Sequence, residues 1–417
     1  MRIVIIGNGI AGNSVAEKIR ELDKNISVTI VSEENFNEYS ACVLANFLAG
    51  EIDRKSVFIK SSRDYRKNNI NTILGKKVIK ICSKDKEIYF DNYQKLSYDK
   101  LVLSIGSHSF IPNIRGVNMK GVFLFKSISD IDKIIFFNPK KVAVIGSGPI
   151  GIEASAALKK RGCEVYLIEA LNWIMPKLFD ENPAIILKKA LEKNGIHIKT
   201  GERLIEIFGS NEVEGIKTDR DLIKCDAVIL AIGMKPNVGL AVQSGIKIGK
   251  LGGIKVDNFL QTSEEGIYAC GDCIETNNNI DNGKCLNMLW SNAKSQGDVV
   301  GFNLLGNERR YYGSENIMVL HIFENYAVSI GKTYLFVCRN KGVETKELIK
   351  KDRYMRIVSK KNRLIGVQVI NEFHFVGLLL GLIRNQTNIA NILLKVNNHD
   401  EIISKHTLIP KIISYIK

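Results

Sequence analysis

The chain has 417 residues, of which 45% are hydrophobic and 25% charged, and its net charge is +15 at pH 7. This composition is that of a globular protein long enough for two or three domains. Eight scattered cysteines argue against a disulfide framework. The sequence contains no basic run with interleaved aromatic residues, so nucleic acid is not favoured as a partner.

The N-terminus opens on an apolar strand, MRIVIIG, without a basic leader and cleavage site. The longest late apolar run, Phe375 to Ile383, is too short to cross a bilayer. We therefore expect a cytoplasmic protein without a membrane span. The positive charge has two interpretations, a solvated lysine-rich surface or a basic face for an acidic protein partner.

The first patterned segment, Arg2 to Glu34, has an apolar run, the sequence G-x-G-x-x-G, a helical pattern and a second apolar run. This order predicts a βαβ unit. Gly7 makes the tight turn, Gly9 lets the backbone approach a pyrophosphate, and Gly12 lets helix and strand pack closely. The helix N-terminus offers N–H groups to phosphates, and Glu33 is placed to accept hydrogen bonds from ribose hydroxyls.

A second segment, Lys141 to Ala170, repeats this arrangement, with Gly146, Gly148 and Gly151 in the motif and Glu169 at the acidic position. One such motif is weak evidence, but two with matching carboxylates indicate two dinucleotide sites. A carboxylate at Glu169 binds a 2′-hydroxyl and repels a 2′-phosphate. The next three residues supply no cation, so we expect NADH rather than NADPH unless a more distant Lys or Arg reaches the site.

A single CxxC, Cys270 to Cys273, lies in IYACGDCIE. Such a pair is compatible with a redox site, half of a metal site or neither. Because no second CxxC exists, no four-cysteine zinc or iron–sulfur site can be assembled from paired motifs. The six histidines form no metal-binding pattern, and we expect no metal. From about Tyr311 the pattern becomes alternating strands and a helical stretch, which predicts an α+β C-terminal domain.

Five segments follow one another along the chain: the first glycine motif, DKLVLSIGS, the second glycine motif, AIGMKPN and TSEEGIYACGDC. In this order they resemble the FAD-dependent pyridine nucleotide–disulfide oxidoreductases. The resemblance extends from Arg2 to the C-terminus and implies an α/β enzyme with FAD on the first unit and NAD(P)H on the second. It implies two Rossmann-type domains of the glutathione reductase-like type and a C-terminal α+β interface domain that builds a homodimer. The expected domains are 1–110 and 243–310 (FAD), 111–242 (NAD(H)) and 311–417 (dimerisation).

The resemblance also implies which residues form the sites. Those expected at FAD are Gly7, Gly9, Ile10, Ala11, Gly12, Glu33, Cys42, Ser104, Gly106, Gly271 and Asp272. Those expected at NAD are Gly146, Gly148, Pro149, Ile150, Gly151, Glu169 and Gly233. Asp272 is expected at the ribityl and pyrophosphate end of FAD, so the CxxC flanks a flavin-binding Gly-Asp and is interpreted as incidental. Glu153 is expected near the nicotinamide, and the helix that carries Trp290 and Gln296 is expected to face the flavin.

Cys42, eight residues before Gly50, resembles the single redox cysteine of NADH oxidases, NADH peroxidases and coenzyme A-disulfide reductases. A cysteine at a helix N-terminus has a lowered pKa, and Cys42 is expected to relay electrons to a disulfide or persulfide. The chain departs from these enzymes at two positions. It has Ile10 where the oxidases and peroxidases have a histidine, which argues against peroxide chemistry, and it has Ala45 where coenzyme A-disulfide reductases often have a proline. The alternative is a packed, unreactive thiol.

Other segments resemble rubredoxin reductases and the flavoprotein part of nitrite reductases, namely YS…LAGE and LNMLWSNAKSQGDVVGFNLLG. The leading hypothesis is therefore an FAD-dependent NAD(P)H oxidoreductase that reduces a small disulfide or persulfide through Cys42. The first alternative passes single electrons from FAD to an acidic rubredoxin- or ferredoxin-like protein, to which a basic surface is suited. A second alternative is a non-catalytic flavin-binding subunit with a redox-sensing or assembly role.

Overall fold

The structure is a computed structural model that describes residues 1–280, 283–338, 340–350 and 352–389. The end of the expected C-terminal domain, residues 390–417 with His399 and His406, lies outside the described residues. Within the described ranges, no helix has the length and apolar character that a membrane crossing requires.

Ten α-helices occur in the described residues; two of them begin in the predicted glycine motifs, and the last lies in the late apolar stretch. They are α1 (Ile10–Leu22), α2 (Leu44–Ala49), α3 (Ser62–Lys67), α4 (Ile128–Phe137), α5 (Pro149–Lys160), α6 (Glu181–Lys193), α7 (Gly239–Gln243), α8 (Trp290–Leu304), α9 (Tyr334–Val337) and α10 (Val376–Arg384). Short 3₁₀ turns occupy Ala41–Val43, Lys55–Val57 and Phe373–Phe375.

The strands are short in most of the chain and longest near its end. They are β1 (Arg2–Ile6), β2 (Ser27–Ser32), β3 (Ile70–Leu74), β4 (Val78–Cys82), β5 (Glu87–Phe90), β6 (Lys95–Ser97), β7 (Lys100–Leu103), β8 (Ser107–Ser109), β9 (Val122–Leu124), β10 (Lys141–Ile145), β11 (Glu164–Glu169), β12 (Ile196–Thr200), β13 (Leu204–Phe208), β14 (Gly215–Thr218), β15 (Leu222–Lys224), β16 (Ala227–Leu230), β17 (Met234–Pro236), β18 (Ile254–Lys255), β19 (Ile267–Ala269), β20 (Ile274–Asn277), β21 (Lys284–Cys285), β22 (Ile317–Ile322), β23 (Asn325–Gly331), β24 (Val343–Lys350), β25 (Arg353–Lys360) and β26 (Arg363–Ile370).

The chain divides into two compact units, each built from separate segments. Unit 1 comprises Met1–Phe110, Lys126–Ile128 and Met234–Glu315. Unit 2 comprises Ile111–Phe125, Ser129–Gly233 and the described residues from Asn316 onward.

Unit 1 is built on a parallel sheet with the strand order β19-β7-β1-β2-β3. Strands β1 and β7 are apolar over most of their length because both of their faces are buried; Ile5, Ile30 in β2 and Leu103 are fully buried. The chain returns after a long excursion to add β19 beside β7, so a segment more than 160 residues away in sequence from β7 completes the sheet. Unit 1 also contains three smaller sheets, with the strand orders β4-β5-β6, β18-β20-β21 and β17-β8.

Unit 2 contains a second parallel sheet with the order β12-β11-β10-β16-β9, a three-stranded sheet β13-β14-β15, and an antiparallel sheet β22-β23-β26-β25-β24. Both predicted βαβ units are confirmed: β1 pairs in parallel with β2 across α1, and β10 pairs in parallel with β11 across α5. The α/β fold class is therefore confirmed, with an α+β segment of strands β22 to β26 and helices α9 and α10 near the end of the described chain.

Candidate active site

The first glycine motif forms a tight loop between β1 and α1. Gly7 has φ +117°, a conformation that favours glycine, and its N–H donates to the Val31 carbonyl at 2.8 Å. A side chain on Gly12 would overlap the Gly7 carbonyl oxygen, so only glycine lets α1 approach the loop. By contrast, a Cβ on Gly9 would meet nothing within 4 Å. The backbone of Gly9, the N-cap of α1 without a side-chain capping bond, therefore faces open space at a helix N-terminus.

The carboxyl ends of the parallel strands bring distant residues to this loop. Ser104, directly after β7, donates from its hydroxyl to the Ile6 carbonyl at 2.9 Å. Gly271, two residues after β19, has φ +83°, and a Cβ there would lie 2.9 Å from the Ala11 side chain. The Gly271 N–H donates to the buried Gln296 amide oxygen on α8 at 2.7 Å. These contacts place the Gly-Asp element against the start of α1.

Asp272 is held by two residues that are not among those expected at FAD. Its Oδ2 accepts a hydrogen bond from the Ser107 hydroxyl at 2.8 Å and from the Lys126 ammonium at 3.5 Å. Lys126 also donates to the Ser107 hydroxyl oxygen at 3.1 Å. No hydrogen bond to Oδ1 occurs among the described residues, so that oxygen can accept from a ligand hydroxyl. Lys126 lies in no local motif, so no sequence signal identified it.

The other residues expected at FAD lie around the same sheet. Ile10 begins α1. Gly106 has φ +64°, and its carbonyl accepts from the Asn237 N–H at 2.9 Å. Glu33 directly follows β2, where its exposed carboxylate pairs with Lys77 at 3.2 Å.

The second glycine motif reproduces the first within unit 2. Gly146 has φ +98°, and a side chain on Gly151 would overlap the Gly146 carbonyl oxygen. A Cβ on Gly148 would meet nothing within 4 Å. Pro149 occupies the first turn of α5, where its missing N–H costs no hydrogen bond, and Ile150 follows it. Gly233, with φ +127°, follows β16 and also faces open space.

Glu169 ends β11 and is locked in place by the protein. Its Oε2 accepts from the Ser147 N–H at 2.9 Å and the Ser147 hydroxyl at 2.6 Å. Its Oε1 accepts from the Leu171 N–H at 2.9 Å. Because each carboxylate oxygen has two acceptor positions, Oε1 keeps one for a ribose hydroxyl.

Glu153 lies in the second turn of α5. Burial raises the pKa of this carboxyl to about 7. It is a group whose charge changes close to neutral pH, as is common at functional sites.

We expect Glu153 to make unfolding pH-dependent. Since its folded pKa of about 7 exceeds the ordinary value of 4.5, the stability that it contributes is present below pH 4.5 and is lost as the pH rises through 7. Glu153→Gln should therefore be more stable than the wild type at pH 8.5, by about 1–3 kcal/mol, and little different at pH 5. Urea unfolding midpoints at the two pH values check this. Equal differences at both pH values would contradict the assignment.

Cys42 lies in the 3₁₀ turn Ala41–Val43 that leads into α2, and α2 ends at Gly50 with φ +78°. The helix itself begins at Leu44, so Cys42 lies just before the helix rather than in its first turn. The Cys42 side chain is exposed.

A buried ion pair anchors the chain just before Cys42. Glu38, 1% exposed, pairs with Lys60 at 2.7 Å. Lys60 also pairs with Glu17 at 2.7 Å and donates to the Asn13 amide oxygen at 3.0 Å, both on α1. The helix that starts at the first glycine loop therefore also positions the segment that carries Cys42.

Cys270 and Cys273 are both completely buried. Burial raises the pKa of Cys270 and raises that of Cys273 to about 12. The Cys273 thiol donates to the Leu103 and Cys270 carbonyls at 3.5 and 3.3 Å. Neither thiol has the exposed, electropositive surroundings of a reactive cysteine. No metal-binding cluster of His, Cys, Asp or Glu occurs among the described residues.

Both loops fit a dinucleotide. Each has an open backbone face at its second glycine and at the N-terminus of the helix that follows, as a pyrophosphate requires. The first has Asp272 with an available oxygen beside it, and the second has Glu169 at the adjacent strand end.

Comparisons with known proteins agree with this geometry. A family model described as "Pyridine nucleotide-disulphide oxidoreductase" matches residues 1–297. An NADH oxidase of Methanocaldococcus jannaschii is 36% identical over 332 residues, which cover 77% of this chain and 74% of that protein. A nitrite reductase [NAD(P)H] of Bacillus subtilis is 30% identical over 398 residues, and the chain spans about half of it, 93% of this chain against 48% of the relative. The solved structure of an NAD-dependent persulfide reductase from A. fulgidus has a TM-score of 0.90 and 26% identity, covering 94% of this chain and 78% of that one.

Proposed function

The chain belongs to the pyridine nucleotide-disulphide oxidoreductase family and is an FAD-dependent NAD(P)H oxidoreductase, and on this premise we propose that it reduces a small disulfide or persulfide through Cys42. The observation that carries the proposal is an exposed thiol on a segment anchored to the helix of the first glycine loop. Similarity to the A. fulgidus persulfide reductase, over most of both chains, supports the same class of acceptor.

The chain's own residues hold and orient the two dinucleotides. The loop at Gly9 and the carboxylate of Asp272 would hold FAD, and the loop at Gly148 with Glu169 would hold the nicotinamide coenzyme. Glu153, on the helix that starts at the second loop, would lie toward the nicotinamide end and change its charge near pH 7. When bound, FAD takes a hydride from NADH and supplies two electrons to the acceptor.

Cys42 supplies the covalent step. Its thiolate attacks one sulfur of a disulfide R–S–S–R′, so that a Cys42–S–S–R bond forms and R′S⁻ leaves. Two electrons that originate in NADH then break this bond, which restores the Cys42 thiolate and releases RS⁻. The hydride of NADH supplies one proton and solvent supplies a second, and together they neutralise the two thiolate products. The balance is one NADH and one proton consumed for one disulfide reduced to two thiols.

A second candidate is single-electron transfer to an acidic carrier protein. It is supported by the net charge of +15 and by the similarity to the Bacillus subtilis nitrite reductase over 93% of this chain. Under this alternative Cys42 has no role.

We also propose a homodimer, because Val319, Leu335, Phe336 and Ile349 of unit 2 expose large apolar side chains.

Cys42→Ser separates the two candidates. We expect the variant to lose NADH-dependent reduction of coenzyme A disulfide and of glutathione persulfide by at least about a hundredfold, because serine cannot form the mixed disulfide. Reduction of ferricyanide, which needs no thiol, should stay unchanged and shows that the variant is folded.

Cys338→Ser is the matched control, since Cys338 is also exposed but lies after α9 in unit 2. It should keep both activities. If Cys42→Ser retains disulfide and persulfide reduction, the thiol relay is wrong and electron transfer to a carrier protein becomes the better candidate.

A further inference from the structure

The turn between β14 and β15, which carries Arg220, is fastened to the end of β12. The Thr218 hydroxyl donates to the buried Glu202 carboxylate at 3.0 Å. The Arg203 N–H donates to the Asp219 carboxylate at 2.9 Å, and the Asp219 N–H donates back to the Arg203 carbonyl at 3.0 Å. These bonds hold the backbone of the turn at a defined place beside the strand end.

The same strand end lies against the segment that carries Glu169. The Gly201 N–H donates to the Leu171 carbonyl at 2.8 Å, and the Glu202 N–H donates to the Glu169 carbonyl at 3.0 Å. The guanidinium of Arg220 lies beside Gly201: a Cβ built on that glycine would be 3.4 Å from Nη2 of Arg220. Arg220 therefore stands at the carboxyl end of β11, although it is 51 positions beyond Glu169 in the sequence.

Asn172 faces the same point, with its Oδ1 3.5 Å from that Cβ position. Across the ranges that the structure describes, the Arg220 guanidinium has no ion pair and the Asn172 side chain has no hydrogen bond. The neighbouring carboxylates are already engaged: Asp221 pairs with Lys199 at 2.7 Å, and Asp219 accepts from the Arg203 N–H. The donors of the guanidinium thus remain available to a ligand.

The position matters because the carboxyl end of β11 is where a Rossmann unit binds the adenosine ribose. A 2′-hydroxyl can donate to Glu169, whereas a 2′-phosphate needs a cation, and the guanidinium of arginine matches a phosphate well. Three protein donors to the Glu169 carboxylate, the Ser147 N–H and hydroxyl and the Leu171 N–H, reduce its repulsion of a nearby phosphate.

We propose that Arg220 binds the 2′-phosphate of NADPH, so that the enzyme uses NADPH as well as NADH. The proposal rests on the proposed function only in that the second glycine unit holds the nicotinamide coenzyme. Arg220 is then a residue that determines coenzyme specificity, although the residues that follow Glu169 in the sequence supply no cation.

The test compares kcat/KM for NADPH and NADH in the wild type and in Arg220→Gln, with ferricyanide as acceptor so that Cys42 plays no part. We expect Arg220→Gln to lower kcat/KM for NADPH about tenfold, the usual scale of a lost charge-assisted hydrogen bond, and to change that for NADH less than about twofold. Raising the ionic strength should weaken NADPH use more than NADH use in the wild type and not in the variant. Lys217→Gln, on β14 of the same hairpin, is the matched control for net charge and should leave the NADPH-to-NADH ratio unchanged.

Several results would overturn the inference. These are a wild type that oxidises NADH but not NADPH, an Arg220→Gln variant with an unchanged coenzyme ratio, and an equal loss with Lys217→Gln. A wild type that oxidises neither coenzyme would instead contradict the function on which the inference rests.

Discussion

Gly148→Val is expected to give a yellow protein that NADH no longer bleaches, while dithionite still does. The valine side chain has room in the protein, because a Cβ on Gly148 meets nothing within 4 Å. It would fill the space that the coenzyme pyrophosphate requires at the start of α5, so the dissociation constant for NADH should rise about a hundredfold or more. Anaerobic stopped-flow absorbance of the flavin checks this.

Gly9→Val is the corresponding change at the first loop. Its Cβ also meets nothing within 4 Å, so the protein should fold, but it should be purified without flavin. Gly151→Val, whose side chain would overlap the Gly146 carbonyl oxygen, should instead fail to fold.

Gly239→Val, at an open position outside both loops, is the control and should be yellow and bleached by NADH. A Gly148→Val protein with unaltered kinetics of reduction by NADH would show that the coenzyme does not occupy this loop.

Asp180→Ala is expected to destabilise unit 2 strongly. Asp180 is 5% exposed and accepts hydrogen bonds from Arg356 at 2.6 Å, from Gln368 at 2.7 Å and from the N–H groups of Tyr334 and Leu335 at 3.2 and 3.0 Å. Its removal leaves a mostly buried guanidinium short of a partner and backbone donors unsatisfied. The free energy of unfolding should fall by about 3–5 kcal/mol.

Urea unfolding followed by circular dichroism measures this loss. Asp180→Asn keeps two acceptor positions without the charge and should lose less. Lys346→Gln, which removes an exposed charge on β24, should change the midpoint little. If Asp180→Ala is within about 1 kcal/mol of the wild type, the cluster around Asp180 is not the stabilising contact that its geometry indicates.

The parts of the site that could be predicted from the sequence are those encoded by local spacing. Gly7 and Gly12, or Gly146 and Gly151, act within one strand–turn–helix unit, so the sequence alone identifies their roles. The arrival of Asp272 beside the first loop was indicated only by the family resemblance, because β19 joins the sheet after a long excursion of the chain.

Lys126 and Arg220 could not be predicted. Lys126 meets Asp272 across 146 residues, and Arg220 reaches the end of β11 through a hairpin turn that is itself held by Thr218 and Asp219. Neither has a neighbour in sequence that signals the contact. Helix boundaries are likewise weakly encoded, and Cys42 accordingly lies in a 3₁₀ turn before α2 rather than at its first residue.

The most direct test of flavin and nicotinamide binding is the visible spectrum of the gently purified chain during anaerobic addition of NADH. We expect one FAD per chain, and about one equivalent of NADH should bleach its visible absorbance. A colourless protein that takes up no FAD when supplied with an excess, or a yellow protein that neither NADH nor NADPH bleaches, would contradict this expectation.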